Sequence, residues 1–197
     1  MLFVDYQNVY MSARSAFFEP NAHPVEGQID PLALGNLITN KRDLGGELTA
    51  VRVYRGQPER RKDPAGHRIV ERQSRAWRRL PEVSVFTRPL RYPRDWPMGR
   101  PEEKGIDVAL AIDFVVMAVR GEYEVGVIMS TDTDLRPGLE AVLAMDGRPF
   151  PRCEVAAWSA SRSHSQRLGV PGRRVWCHWL DGEDYRAVAD PRDYSKP

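Results

Sequence analysis

The chain has 197 residues, of which 42% are hydrophobic, and a formal net charge of +2, which suits one compact domain and is short for two. Its longest apolar stretch, 108–119, is interrupted by Asp113 and is shorter than the roughly 20 residues of a bilayer span. We expect no export signal at its start. Cys153 and Cys177 are far apart and lack metal-ligand spacing, so we expect no disulfide framework, no zinc site and a cytoplasmic location.

Short β-branched apolar runs alternate with helical segments, and this order is typical of an α/β fold with a mainly parallel sheet covered on both faces. We predict strands at 2–5, 48–55, 83–88, 125–130, 154–158 and 174–180. Helices are expected at 8–17, at 31–44 with Asp30 as N-cap and Pro31 in the first position, at 64–80, and from about 101. One domain then covers 1–180, and 181–197 is expected to be a loosely attached polar tail.

The segment from Arg52 to Arg100 is strongly basic, with fourteen Arg or Lys against five Asp or Glu. At 100° per residue, four arginines of the helix predicted at 64–80 lie in one narrow stripe: Arg68, Arg72, Arg75 and Arg79. A phosphate backbone could lie along this arginine stripe. An ordinary solvated helix face explains the pattern equally well.

The segment 88–100 contains three prolines together with Tyr92 and Trp96, so we expect a loop with a restricted backbone. Arginines interleaved with aromatic rings suit single-stranded nucleic acid, because bases stack on the rings and phosphates pair with the cations. The two rings could equally pin the loop to the body of the domain.

Carboxylates follow the ends of two predicted strands. Asp5 ends the first strand, and Asp132 and Asp134 follow directly on the strand 125–130. Since the carboxyl ends of parallel strands meet at one edge of a sheet, we expect these side chains to share a crevice. Asp107 is expected to join them from the first turns of an otherwise apolar helix. Asp113 lies six residues later, points about 120° away and is assigned a structural or supporting role.

Carboxylates that converge repel one another, which raises their pKa values and destabilises the site unless a cation joins them. Hard divalent cations such as Mg²⁺ prefer oxygen ligands, and one or two such ions can activate a water molecule and stabilise a phosphodiester transition state. Each acid also has a purely structural explanation. Asp5 and Asp132 could cap helices, and Asp107 could pair with Lys104.

Three motifs occur in the chain: 3–8 is FVDYQN, 104–113 is KGIDVALAID, and 130–135 is STDTDL. In this order they resemble the FxDxxN, KGxDVxLxxD and SxDxDF motifs of NYN-domain proteins, which are part of the PIN-like nuclease superfamily. The resemblance extends over about residues 2–158. Thr131 and Leu135 stand where the family commonly has a glycine and an aromatic residue.

The resemblance implies a three-layer α/β/α, PIN-like (Rossmann-like) domain and a metal-dependent ribonuclease that uses Mg²⁺ or Mn²⁺. Asp5, Asp107 and Asp132 would be catalytic metal ligands. Asp134 would be a further ligand or a supporting acid. Asn8 would orient Asp5 or touch the scissile phosphate.

The expected partner is RNA, single-stranded in preference to double-stranded, with Lys104 and the arginine stripe beside its backbone; no membrane is expected. A homodimer is compatible with the chain if the rings of Trp176 and Trp179 are exposed. Two alternatives stay open: a nucleic-acid or partner-binding module of the same fold with a weak or inactive site, and a phosphohydrolase of small nucleotides. Four histidines show no metal-ligand spacing and are expected at the surface or in packing: His23, His67, His164 and His178.

Overall fold

The computed structural model describes residues 1–145, 152–160 and 166–196, so His164 and the last residue of the predicted tail, Pro197, lie outside the described residues. Its centre is a sheet of six strands: β1 (Leu2–Asp5), β2 (Val51–Gln57), β3 (Val83–Pro89), β4 (Val125–Met129), β5 (Arg152–Trp158) and β6 (Trp176–Leu180). All neighbouring strands are parallel, in the spatial order β3-β2-β1-β4-β5-β6. The chain therefore begins in the middle of the sheet and builds one half before the other.

The described residues also form six α-helices: α1 (Tyr6–Phe17), α2 (Pro31–Asn40), α3 (Pro64–Trp77), α4 (Ile106–Arg120), α5 (Arg136–Leu143) and α6 (Gly182–Val188). Helices α1, α2, α3 and α6 pack on one face of the sheet, and α4 and α5 pack on the other. The predicted three-layer α/β/α architecture is confirmed. None of these helices is long and apolar enough to cross a membrane.

Two cores lie on opposite faces of the sheet. Leu2 and Val4 of β1 join the core that contains Trp77, and Phe3 joins the core that contains Phe114. Because both faces of a covered parallel sheet are buried, its strands appear in the sequence as continuous apolar runs. This is why all six predicted strands are confirmed, with differences of a few residues at their ends.

The helices differ more from the prediction. Helix α2 ends at Asn40 instead of 44. Helix α4 begins at Ile106 instead of about 101, because Glu102 pairs with Arg91 in an isolated β-bridge and Gly105 takes a left-handed backbone with φ of +74°. That conformation favours glycine. Helices α5 and α6 were not predicted; they have 8 and 7 residues, which is too short for a clear helical period.

The segment after Leu180 is packed against the domain, so the expectation of a loosely attached tail was wrong. Tyr185 and Val188 belong to the core, and Tyr194 is 8% exposed. The Tyr194 hydroxyl donates a hydrogen bond to the buried carboxylate of Asp190 at 2.7 Å, and Arg192 pairs with the same carboxylate. The polar composition suggested a solvated segment, but these polar side chains form hydrogen bonds and ion pairs with one another. The domain boundary after residue 180 stays a prediction.

Candidate metal centre

Asp5 lies at the centre of the carboxyl edge of the sheet and is only 6% exposed. Its Oδ1 accepts a hydrogen bond from the backbone N of Asn8 at 3.3 Å, which makes Asp5 the N-cap of α1. Its Oδ2 accepts one from the Ser130 hydroxyl at 2.9 Å. Asp5 therefore does cap a helix, but neither of these hydrogen-bond donors carries a charge that could offset its own.

The turn that follows β4 is tied to both Asp5 and α1. The backbone N of Asp132 donates to the Ser130 hydroxyl at 3.0 Å, and the Asp132 carboxylate accepts from the N of Asp134 at 2.9 Å, capping the 3₁₀ turn Thr133–Leu135. The Asn8 side-chain Oδ1 accepts from the backbone N and the hydroxyl of Thr131 at 2.9 and 3.2 Å. Asn8 thus orients this turn through its side chain and Asp5 through its backbone.

The two positions that depart from the family motifs are accommodated. Among the described residues only glycines have a positive φ, so the backbone at Thr131 is one that any residue adopts, and its hydroxyl bonds to Asn8. Leu135 is fully buried in the core beneath the turn. The turn that carries Asp132 is therefore intact.

Asp107 lies in the first turn of α4 and is half-buried. Across the described part of the chain, no donor bonds to its carboxylate and no cation pairs with it. Lys104 is exposed and has no ion pair with the described residues either. The alternative in which Lys104 neutralises Asp107 is therefore not realised.

Burial raises the pKa of Asp5 to about 6, although the hydrogen bonds from Ser130 and Asn8 lower it, and the charges of Asp132 and Asp107 raise it further. The charges of Asp107 and Asp132 therefore both reach Asp5. Asp134 is exposed on the same turn as Asp132.

Glu103 is a fifth acid at this edge, and no pattern in the sequence predicted it. Its carboxylate accepts a hydrogen bond from the backbone N of Gly56, where β2 approaches its end. Burial raises the pKa of Glu103 to about 6; the Gly56 bond lowers it, and the charge of Asp5 raises it. The only sequence signal was its position next to Lys104, at the start of the second motif.

Arg55 is a buried cation near the same edge of the sheet and was also missed. Its guanidinium lies 4.5 Å from the centre of the Tyr6 ring, and Nη1 donates to Gln73 at 2.6 Å. Its Nε has no hydrogen-bond partner among the described residues. Burial lowers the pKa of Arg55, and its charge in turn lowers the pKa of Glu103. The positive charge of Arg55 thus acts on Glu103.

The donor set fits a hard divalent cation, because several carboxylates at one edge have no ion pair with the described residues and one of them, Asp5, is buried. The type of ligand atom fits such an ion, but the positions of the described carboxylates do not form a complete coordination shell. Within the described ranges, no three His, Cys, Asp or Glu side chains are close enough together to hold an ion. The acids share the edge without forming a closed ligand cage.

The arginine stripe is only partly available. The guanidinium of Arg72 donates to backbone carbonyls of the C-terminal segment, the shortest bond being 2.7 Å to Lys196, and Arg75 pairs with Glu71 at 3.3 Å. Helix α3 runs from the carboxyl edge of β2 towards the start of β3, so Arg68 lies at the end nearer the acids. Arg79 lies beyond the far end of α3, about 16 Å from Arg68 along the direction of the helix axis. The structure does not bring the whole stripe to the acids.

Asp113 has the structural role assigned to it. It accepts hydrogen bonds from Arg52 and from the Tyr54 hydroxyl, both at 2.7 Å.

In the loop after β3, Trp96 packs edge-on against Tyr92 with 4.8 Å between ring centres, and the Tyr92 hydroxyl accepts a hydrogen bond from the backbone N of Glu59 at 3.1 Å. Tyr92 therefore ties this loop to the loop that follows β2, and Trp96 packs on Tyr92.

Comparison with known proteins gave one family. A family model described as NYN domain matches residues 1–155 of the 197. No match was found among curated proteins or among solved structures. The matched range contains every acid described at the carboxyl edge.

Proposed function

Because the chain belongs to the NYN domain family, whose members are in general nucleases, we propose that it is a ribonuclease. It hydrolyses RNA phosphodiester bonds with the help of Mg²⁺ or Mn²⁺ at the carboxyl edge of the sheet. The observation that carries the proposal is Asp5, a buried carboxylate among other acids to which no cation of the described residues is bonded. Such a group costs stability unless a bound cation offsets its charge.

In this proposal Asp5, Asp107 and Asp132 hold the metal, and Asp134 is a further ligand or a supporting acid. When bound, the ion supplies an activated water and offsets the charge that develops on the phosphate. Ser130 and the backbone N of Asn8 hold the Asp5 carboxylate in place through the hydrogen bonds described above. The Asn8 side chain holds the turn of Asp132.

Lys104 is proposed to contact the substrate backbone, because it is exposed and lies three residues before Asp107. Arg68 is the member of the arginine stripe nearest to the acids, while Arg72, Arg75 and Arg79 stay predictions as substrate-binding residues. Cytoplasmic location stays a prediction as well. Trp176 and Trp179 are 60% and 40% exposed, which meets the condition set for a homodimer, and the dimer itself stays a prediction.

The test is incubation of the purified protein with end-labelled single-stranded RNA in Mn²⁺, Mg²⁺ or EDTA. We expect metal-dependent cleavage that the double variant Asp5→Asn/Asp132→Asn loses by more than about 100-fold, because loss of groups that only support metal ligands already costs 10 to 100-fold. A matched control is Glu124→Gln/Glu140→Gln, which removes two exposed carboxylates from elsewhere on the domain and should cleave like the wild type.

Two other outcomes would reject the ribonuclease. RNA binding without cleavage in any metal would favour the binding module. Phosphate release from mononucleotides, with RNA left intact, would favour the phosphohydrolase.

A further inference from the structure

Two loops extend the carboxyl edge beyond β2 and β3, and we call them the rim loops. The first, residues 58–63, joins β2 to α3, and the second, residues 90–105, joins β3 to α4. Strand β2 lies next to β1, and β3 lies beyond it. Asp5 is in register with Tyr54 of β2, which is in register with Phe86 of β3. The rim loops begin four residues further along these strands, about 13 Å along the strand direction and about 5 and 10 Å across, so they begin within roughly 16 Å of Asp5.

The rim loops are held to each other and to the sheet. In addition to the bond between Glu59 and the Tyr92 hydroxyl, the Lys62 ammonium lies 4.7 Å from the centre of the Tyr92 ring. Arg91 and Glu102 exchange two backbone hydrogen bonds of 2.9 Å, which close the second loop on itself. The second loop also begins with a backbone bond of 3.0 Å from Leu90 to Gln57. The two loops thus present one preorganised surface.

That surface carries arginines whose charges are not neutralised by carboxylates of the described residues. Six exposed arginines lie on the rim loops or at the adjoining end of β3: Arg60, Arg61, Arg88, Arg91, Arg94 and Arg100. Over the part of the chain that the structure describes, none of them forms an ion pair with a carboxylate. The arginine stripe of α3 differs, since Arg72 and Arg75 are engaged with other groups. Beside β2 and β3 there are therefore six exposed arginines without an ion pair among the described residues.

Within the described residues, acids follow two strands of the opposite half of the edge: Asp132 and Asp134 follow β4, and Asp181 and Glu183 follow β6. A polyanion would be repelled by these acids and attracted to the rim loops. The distribution of charge thus gives the carboxyl edge a direction across the sheet.

We infer that the rim loops bind the phosphate backbone of an RNA strand and lead it across β3 and β2 to Asp5. The inference rests on the proposed function for its substrate and adds where the strand lies. Tyr92 and Trp96 pack on each other, so the contact is made by arginines on phosphates and not by rings on bases. Phosphate contacts carry no sequence information, and binding by the rim loops is therefore indifferent to base sequence.

The test measures the binding of labelled single-stranded RNA to the full chain as a function of salt, in EDTA and with Asp5→Asn present in every protein so that no RNA is cut. For single strands the slope of log K against log salt is about −0.7 per phosphate neutralised. The variant Arg60→Gln/Arg61→Gln/Arg94→Gln should bind more weakly and lose about 2 from the magnitude of that slope.

The matched control is Arg120→Gln/Arg173→Gln/Arg174→Gln, which removes three exposed charges from the amino edge of the sheet and should keep the parent slope. Equal losses in both triple variants would overturn the inference, because only net charge would then matter. A loss found instead in Arg68→Gln/Arg75→Gln/Arg79→Gln would overturn it in favour of α3.

Failure of the inference can be told from failure of the proposed function. If the wild type cuts RNA and the rim variant binds RNA like the control, the strand lies elsewhere and the ribonuclease stands. If the wild type cuts nothing while the rim variant loses its salt slope, the rim loops bind RNA and the enzyme proposal fails.

Discussion

Two buried carboxylates at opposite edges of the sheet have opposite surroundings. The carboxylate of Glu154, near the start of β5, accepts two hydrogen bonds of 3.0 and 2.9 Å from the Arg42 guanidinium. The ring nitrogen Nε2 of His178 lies 2.7 Å from the same carboxylate. Burial alone would raise its pKa, but the bonds from His178 and Arg42 and the charge of Arg42 lower the pKa of Glu154 to about 2. Burial and neighbouring acids raise the pKa of Asp5 to about 6.

The difference in pKa separates Glu154, whose charge stabilises the folded state, from Asp5, whose charge destabilises it. An ionised carboxylate that is buried with its cation stabilises the native arrangement, because removing one partner would leave the others unpaired. A carboxylate buried among other acids opposes folding, and its presence calls for a ligand that only the folded protein binds. The amino edge is thus structural, and the carboxyl edge is the candidate site.

The largest expected effect is at the amino edge. Glu154→Gln keeps the shape of the side chain but leaves the Arg42 charge without its counterion, and we expect a loss of about 3 kcal/mol in the free energy of unfolding, measured with urea at pH 7. The control is Glu71→Gln, which removes the exposed partner of Arg75 and should cost less than about 0.5 kcal/mol. Equal costs would mean that burial of the Glu154 cluster adds nothing.

The same network predicts a pH window. The folded pKa of Glu154 is about 2, below the ordinary 4.5 of the unfolded chain. Its contribution to stability is therefore fully present above pH 4.5 and is lost as the pH falls towards 2. The gap in unfolding free energy between wild type and Glu154→Gln should narrow over that range. A gap that stays constant down to the lowest pH reached would assign the cost to packing instead of charge.

At the carboxyl edge the sign should reverse. Because the folded pKa of Asp5 is about 6, above its ordinary 3.8, the ionised group costs stability above pH 6, and that cost disappears as the pH falls below 3.8. Asp5→Asn removes the charge and keeps a good N-cap. We expect its unfolding free energy at pH 7.5 in EDTA to rise by on the order of 2 kcal/mol, measured by urea unfolding.

Asp113→Asn is the matched control for Asp5→Asn, since it makes the same chemical change in a carboxylate that Arg52 does neutralise, with 2.7 Å between them. Its stability should fall. If both variants lose stability, Asp5 is an ordinary structural acid and the contrast between the two edges is not one of charge.

The sequence predicted the frame and part of the site. Continuous apolar runs such as β4 identify buried parallel strands, and the ends of those strands locate Asp5 and Asp132. Glu103 could not be placed in this way, because it reaches the edge only through the folding of the second rim loop and its bond to Gly56. The Glu154 cluster was equally hidden. Arg42, Glu154 and His178 come from three separate segments, and no local pattern links them.

The smallest effect, added divalent cation, distinguishes the two edges most directly. A ligand bound only by the folded protein stabilises it by RT ln(1 + [L]/Kd), about 1.4 kcal/mol at ten times Kd. Mn²⁺ should therefore raise the unfolding free energy of the wild type and leave Asp5→Asn/Asp132→Asn unchanged.

Glu154→Gln tests whether that gain is local. Glu154 is in register with Val127 of β4, which is in register with Leu2 of β1. Leu2 lies three residues before Asp5, and β5 lies two strands away from β1. Glu154 and Asp5 are therefore about 10 Å apart along the strand direction and about 10 Å apart across the sheet. Changes this far apart, with no shared partner, add independently. Glu154→Gln should thus gain the same increment from Mn²⁺ as the wild type, on a lower baseline. An increment that vanished in Glu154→Gln but survived in Asp5→Asn/Asp132→Asn would move the cation to the amino edge and reverse the roles of the two carboxylates.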